Sequence, residues 1–161
     1  MENTKITDNL IKLVPYDKKW PLEYVKEVEF LKRAIPSYTN SRFYHIGSTS
    51  INGMTSTGII DILITCPLIE IFTITNILKS KNYIFCQKSS HLRHYIFAKN
   101  VNGKVKYLIH VLPNNSKTAK EYLKFKNILL SDIHIQNQYY IFKYSLANKN
   151  ISINEYTTLK R

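Results

Sequence analysis

The chain has 161 residues, 44% of them hydrophobic and 21% charged, a composition that fits one folded domain and excludes a disordered chain. Its formal charge is +12, and residues 101–161 hold 10 Lys/Arg against 3 Asp/Glu. This excess favours a polyanionic partner, either a nucleotide phosphate or a nucleic acid. Lysines spread over a solvated surface, as an AT-rich genome would encode, are the alternative explanation.

Composition also bears on the cellular setting. No run approaches the roughly 18 apolar residues of a membrane helix, and the N-terminus has no apolar signal-peptide region. Cys66 and Cys86 lack the spacing of metal ligands. The sequence therefore predicts a reduced, cytoplasmic protein with no membrane partner. It predicts one domain over residues 1–161, with residues 1–10 flexible, and does not indicate an oligomeric state.

The elements are predicted in the order helix, mixed strands, helices. An extended segment at residues 11–14 precedes a helix over residues 22–35, which Asp17 is expected to cap and Pro21 to open. Apolar runs and an Asn102-Gly103 hairpin signal predict five strands, at residues 43–46, 58–65, 83–86, 93–99 and 104–112. Helices are predicted at residues 68–80, at 117–131 after a Ser116 cap, at 135–147 and from a capping box at 152–155.

Candidate chemistry centres on a glycine-serine turn and one carboxylate. Gly47 and Ser48 follow a short strand, and such a turn leaves backbone N–H groups free to meet a phosphate, with Thr49 adding a hydroxyl. Asp61 lies in an otherwise apolar strand, so its charge needs a partner. That partner is either a divalent metal such as Mg²⁺, an arginine, or the donors of the turn.

Strand alternation adds further candidates. His110 is predicted on the face of its strand that carries Leu108 and Leu112, where it would reach Asp61 as a ligand or a base. Arg93 and Lys99 share one face of the neighbouring strand and are candidates for triphosphate contact. His45 would orient the turn. His91 and His94 are interpreted as surface residues, Trp20 as core, and Tyr139–Phe142 as helix core.

The pattern of a strand, a Gly-Ser turn and a second strand bearing an aspartate resembles the nucleotidyltransferase superfamily. A longer match resembles the GrpB family across about residues 11–161, carried by the segments Leu13–Pro21, His45–Gly53, Ile59–Ile62, His110-Val111, Tyr122-Leu123 and Tyr156–Lys160. The resemblance implies an α+β nucleotidyltransferase-like domain, with a mixed sheet packed with helices and a helical C-terminal part. It also implies a family cation at Lys143 that would bind phosphate.

Two departures from these patterns bear on activity. Nucleotidyltransferases carry a second metal-binding carboxylate two positions after the first, and here that position is Leu63. The Lys-Pro that the family usually has before the Asp61 strand is Thr57-Gly58. A leucine cannot ligate a metal, and the lost lysine removes a cation near the turn.

Three functions follow from the sequence. The first is transfer of a nucleoside monophosphate from an NTP to a hydroxyl acceptor, with Mg²⁺ at Asp61 and with Asp61 and His110 as catalytic residues. The second is a degenerate module that binds a nucleotide or another phosphorylated small molecule without catalysis. The third is a basic nucleic-acid-binding protein, although no recognition motif supports it.

Overall fold

A computed structural model describes residues 12–89 and 93–149. Four helices and five strands occur in this part of the chain, and they confirm the predicted α+β class. In chain order they are α1 Trp20–Ala34, β1 Arg42–Ile46, β2 Ile60–Cys66, α2 Ile71–Ser80, β3 Ile84–Ser89, β4 His94–Val101, β5 Lys104–Pro113, α3 Lys117–Ser131 and α4 Ile133–Ala147. The flexible segment 1–10 and the helix at 152–155 that the sequence predicts lie outside the described residues.

The strands form one mixed sheet in the order β1-β2-β5-β4-β3. β2 and β5 are parallel, and the other three neighbouring pairs are antiparallel. The crossover from β2 to β5 runs through α2 and the β3–β4 hairpin. Each strand of the parallel pair has a neighbouring strand on both sides, and helices cover both faces of the sheet. Coverage on both faces suits a strand as apolar as Ile60–Cys66.

The two faces of the sheet carry different residues because side chains alternate along each strand. One face packs against α1 and α2 and is called the core face; its buried residues include Leu31, Ile62, Ile74, Phe97 and Ile109. The other is called the site face. It carries Asp61, His110 and a smaller apolar cluster of Ile46, Leu63, Leu112 and Ala119, the last from α3. Trp20 is 3% exposed, as its predicted core position requires.

Helix boundaries depart from the prediction at two places and agree with it at a third. Asp17 is not the cap of α1: Lys19 holds that position, and the Asp17 carboxylate instead accepts the Lys19 N–H at 2.8 Å. The segment predicted as a helix from residue 68 begins with a 3-10 turn at Leu68–Glu70, and α2 starts at Ile71. Ser116 caps α3 as predicted, accepting from the Ala119 N–H.

A single residue, Asp132, separates α3 from α4. Its N–H donates to the Ile128 carbonyl at the end of α3, while its carboxylate accepts the His134 and Ile135 N–H groups that open α4. The prediction that residues Tyr139–Phe142 lie in a helix was right. The prediction that they are core residues was right only for Tyr139. Tyr139 is 9% exposed, but Tyr140, Ile141 and Phe142 are 42%, 65% and 42% exposed.

None of the described helices combines the length and the apolar character that crossing a bilayer requires.

Candidate functional site

The turn that follows β1 is pressed against the carboxylate of β2. Gly47 has φ 72° and ψ −175°, a conformation that only glycine adopts readily. A Cβ at this position would clash with Asp61 Oδ2. Glycine is therefore required twice, for its backbone conformation and for the approach of the carboxylate. The turn and Asp61 are therefore adjacent, as the sequence predicted.

Asp61 begins a chain of polar contacts along the site face. His110 Nε2 lies 3.2 Å from Asp61 Oδ1, and His110 Nδ1 lies 3.0 Å from His94 Nε2. An ionised carboxylate only accepts, so His110 donates through Nε2. In its neutral form His110 then accepts at Nδ1, and His94 donates through Nε2. Both ring nitrogens of His110 are thus occupied.

Helix α3 covers this chain. The ring of Tyr122 stands 5.6 Å from that of His110 and 6.0 Å from that of His94, both edge to face. His94 and His110 are 4% and 6% exposed. The interpretation of His94 as a surface residue was wrong, and His91 lies outside the described residues. The Asp61 side chain keeps 18% exposure, so access to the chain is from the carboxylate.

His45 braces the turn from the side of β1. Its Nε2 lies 3.0 Å from Thr49 Oγ1, which itself donates to the Ile59 carbonyl. Because the threonine has one proton to give, His45 must donate through Nε2. Burial, and next the charge of Lys126, lower the pKa of His45 to about 4, against the opposing effect of Asp61. His45 is therefore neutral near pH 7, and the Thr49 hydroxyl is committed to holding the turn.

Lys126 is a cation of this site that the sequence analysis missed. Its Nζ donates to the His45 carbonyl at 2.8 Å, two residues before Gly47. It is half-buried, and burial lowers its pKa. Lys126 follows Tyr122 by one helical turn, so both side chains share a face of α3. That spacing was the available signal, because the family motif marks Tyr122.

The residues around Asp61 do not fit a pair of Mg²⁺ ions. Leu63, where a second carboxylate would stand, is fully buried in the apolar cluster beneath α3. Within residues 12–89 and 93–149, no three His, Cys, Asp or Glu side chains are grouped so that they could hold a metal ion. The Asp61 carboxylate instead accepts a hydrogen bond from His110, which offsets the cost of partly burying its charge.

Three predicted phosphate contacts lie elsewhere. The Lys99 amine bonds to both Glu27 carboxylate oxygens at 2.8 Å on the core face. Arg93 precedes β4 in a left-handed conformation and lines a groove beside α2. Lys143 is fully buried, and its amine donates to the Thr55 carbonyl in the loop after the turn. Sequence reasoning grouped these cations with Asp61, and the structure does not.

A β-bulge decides which face of the sheet each side chain of β4 occupies. The Asn102-Gly103 turn pairs Val101 with Lys104, and the same register would set Tyr95 opposite His110. The register shifts between Lys99 and Asn100, so Ile96 stands opposite His110 instead. The extra residue is Lys106 on β5, and it places the residues of β4 before Asn100 on the face opposite to the one that the turn register would give. His94 consequently joins His110, and Lys99 turns to the core face.

The fold is nucleotidyltransferase-like. A family model described as GrpB protein matches residues 10–161, and the chain belongs to the GrpB family. It is 27% identical over 148 residues to UPF0157 protein YqkA of Bacillus subtilis (strain 168), covering 91% of this chain and 43% of that protein. It is 26% identical over 147 residues to UPF0157 protein PA4798 of Pseudomonas aeruginosa, covering 88% and 59%. The chain thus spans about half the length of these curated relatives.

Solved structures give the same fold. The conserved protein GrpB from Enterococcus faecalis has a TM-score of 0.78 at 23% identity, over 90% of this chain and 88% of that one. A cytoplasmic RNA terminal U-transferase has a TM-score of 0.58 at 10% identity, over 81% and 42%. The Cid1 poly(U) polymerase with MgGTP bound reaches 0.54 at 9% identity, over 73% and 39%. At these identities the likeness establishes the fold alone.

Proposed function

We propose that the chain binds a nucleotide or another phosphorylated small molecule at the Gly47–Ser50 turn without a metal pair. One observation carries this proposal. Leu63, which shares the site face with Asp61, is enclosed by apolar neighbours, and Asp61 is bonded to His110 instead of facing a second carboxylate. The turn and Asp61 stand side by side, while the position that would supply a second metal-binding carboxylate belongs to the apolar cluster.

Two features support phosphate as the ligand. The Gly47 turn brings backbone close to the carboxylate, and consecutive N–H groups at such turns favour anions. Solved relatives of the fold include one with MgGTP bound. Asp61 itself repels an anion, so the site needs positive charge. Lys126, whose amine reaches the strand that enters the turn, supplies it.

Magnesium-dependent nucleotidyl transfer is the second candidate. The observation in its favour is the position of Asp61, partly exposed and directly beside the turn. It differs from the first candidate in the role of the carboxylate. Asp61 opposes ligand binding when no metal is present and promotes it when a metal bridges carboxylate and phosphate. Nucleic-acid binding through the basic C-terminal third stays a prediction.

The test is thermal stability with each of the four NTPs, in excess Mg²⁺ and in EDTA. A ligand at about 100 times its Kd adds about 2.7 kcal/mol, which for a chain of this size raises Tm by about 5 °C or more. Metal-free binding predicts the same shift in both buffers. Asp61→Asn keeps an acceptor for His110 and removes the charge, so the shift in EDTA should grow.

Lys126→Gln should reduce the shift, while Lys124→Gln, an exposed lysine on the same helix, should leave it unchanged. A shift that occurs only with Mg²⁺ and disappears in Asp61→Asn would overturn metal-free binding and favour the second candidate. Absence of a shift with every NTP and with inorganic phosphate would refute both.

A further inference from the structure

We infer that a second binding site, for a small amphiphilic anion, lies between α2 and the β3–β4 hairpin. A groove of about 590 Å³ opens there on the core side of the sheet, away from Asp61. Pockets for small molecules have about 300–1,000 Å³, so the groove suits a ring system or a short acyl chain. Its principal lining residues are Leu68, Phe72, Phe85, Phe97, Lys79 and Arg93.

The apolar part of the groove is unusually exposed. Phe72, Leu68 and Phe85 are 76%, 50% and 45% accessible to solvent. Phe85 also stands edge to face with the buried Phe97, their ring centres 5.4 Å apart. A soluble protein rarely clusters large apolar side chains at its surface unless something binds there. These rings offer flat surfaces to an apolar body.

The charged part of the groove indicates a ligand with negative charge. Arg93 and Lys79 line it, and among the described residues no carboxylate does. Lys79 Nζ lies 5.9 Å from the centre of the Phe85 ring, so one cation stands directly beside the aromatic wall. Arg93 takes a left-handed conformation, φ 49°, which arginine rarely adopts. A ligand with an apolar body and one anionic group satisfies both halves of the groove.

This inference does not rest on the proposed function. It assigns a role to Arg93, which sequence reasoning grouped with the phosphate contacts and the structure separates from them. The two sites lie on opposite faces of the sheet and share no residue, so either can fail alone.

The test uses 8-anilinonaphthalene-1-sulfonate, a flat aromatic sulfonate, titrated into the full chain with fluorescence as the readout. We expect saturable binding of one dye per chain, with dodecanoate competing and dodecanol failing to compete. The double variant Arg93→Gln/Lys79→Gln should raise Kd about tenfold, because charged hydrogen bonds are lost. Phe72→Asn should weaken binding to a similar extent.

Matched controls sit on α1. Arg33→Gln removes an exposed cation, and Leu22→Asn removes a leucine that is 63% exposed; neither should change Kd. The thermal midpoint of each variant shows whether it folds. If Phe72→Asn does not fold, the Arg93→Gln/Lys79→Gln variant alone decides the test. Unsaturable binding, equal weakening in the controls, or displacement of the dye by a ten-nucleotide oligothymidine at lower concentration than by dodecanoate would overturn the inference.

Discussion

The two faces of the sheet bury charge in different ways. On the core face, Glu27 accepts from Lys99 and from the Tyr83 hydroxyl, and the rings of Phe30, Tyr83 and Tyr107 surround the lysine amine at 4.7, 5.3 and 5.6 Å. On the site face, the Asp61 carboxylate bonds to His110, which bonds in turn to His94.

The difference separates a closed arrangement from an open one. Glu27 meets a permanent cation, and its side chain is 7% exposed. Asp61 meets the His110 imidazole, and its side chain is 18% exposed. The carboxylate on the core face is thus paired with a fixed cation and enclosed, whereas the one on the site face bonds to a neutralisable group and stays partly exposed. Four predictions test this difference between the two faces.

The largest effect is expected from restoring a second carboxylate. Leu63→Asp places a charge among Ile46, Leu112 and Ala119, and should lower the free energy of unfolding by about 4 kcal/mol. Urea denaturation measures it, with Leu63→Met as the volume-matched control at less than about 1.5 kcal/mol. A stable Leu63→Asp protein that gained Mg²⁺-dependent NTP stabilisation would show that the site face accommodates metals.

Gly47→Ala should cost about 3 kcal/mol, because it combines a glycine-only conformation with a Cβ that clashes with Asp61. Gly53→Ala is the control, since Gly53 also has positive φ, 78°, but open space around it. Its cost should be about 1 kcal/mol. Equal losses for the two variants would contradict the close approach of Asp61 to the turn.

Lys99→Met leaves Glu27 buried without its cation while keeping the apolar stem among the three rings. We expect a loss of about 2 kcal/mol, reduced from that of a fully buried pair because the lysine side chain is 28% exposed. The control is Lys117→Met, whose pair with Glu121 is 3.7 Å long and exposed, at under about 0.5 kcal/mol. Losses of similar size would mean that the core-face ion pair contributes no more to stability than a surface ion pair.

His45 should make stability depend on pH. Its folded pKa, about 4, is below its ordinary 6.5, so the unfolded state binds more protons in that window. Stability is therefore complete above pH 6.5 and is lost as pH falls toward 4, by about 1.5 kcal/mol between pH 6.5 and 5. His45→Gln should flatten this slope, and His134→Gln, an exposed histidine on α4, should not. An unchanged slope in His45→Gln would show that His45 is not kept neutral by the fold.

Much of the fold was predictable because its signals are local. The apolar run through Ile62, the Asn102-Gly103 turn and the Ser116 cap each determine a nearby element. Asp61 stood out as the only charge in that run. The predicted proximity of His110 to Asp61 is observed, at 3.2 Å, while the catalytic role of either residue stays a prediction.

The rest depends on residues that meet only in the folded chain. Nothing in the hairpin sequence marks the bulge after Lys99, yet it decides which face His94 and Lys99 occupy. Lys126 reaches His45 across 81 residues of sequence, and its neighbour Lys124 looks the same in the sequence. Burial of Lys143 likewise depends on how α4 docks on the loop at Thr55.

The corner at Asp132 limits how this chain can vary in length. Most connections between elements absorb an extra residue with little effect, because a surface loop has slack. Here one residue closes α3 and opens α4, and each helix is 15 residues long. An inserted residue could not both end α3 and cap α4 as Asp132 does, and it would displace α4, which carries Lys143, from Thr55. Insertions and deletions among natural relatives should therefore fall on either side of the two helices, and rarely between them.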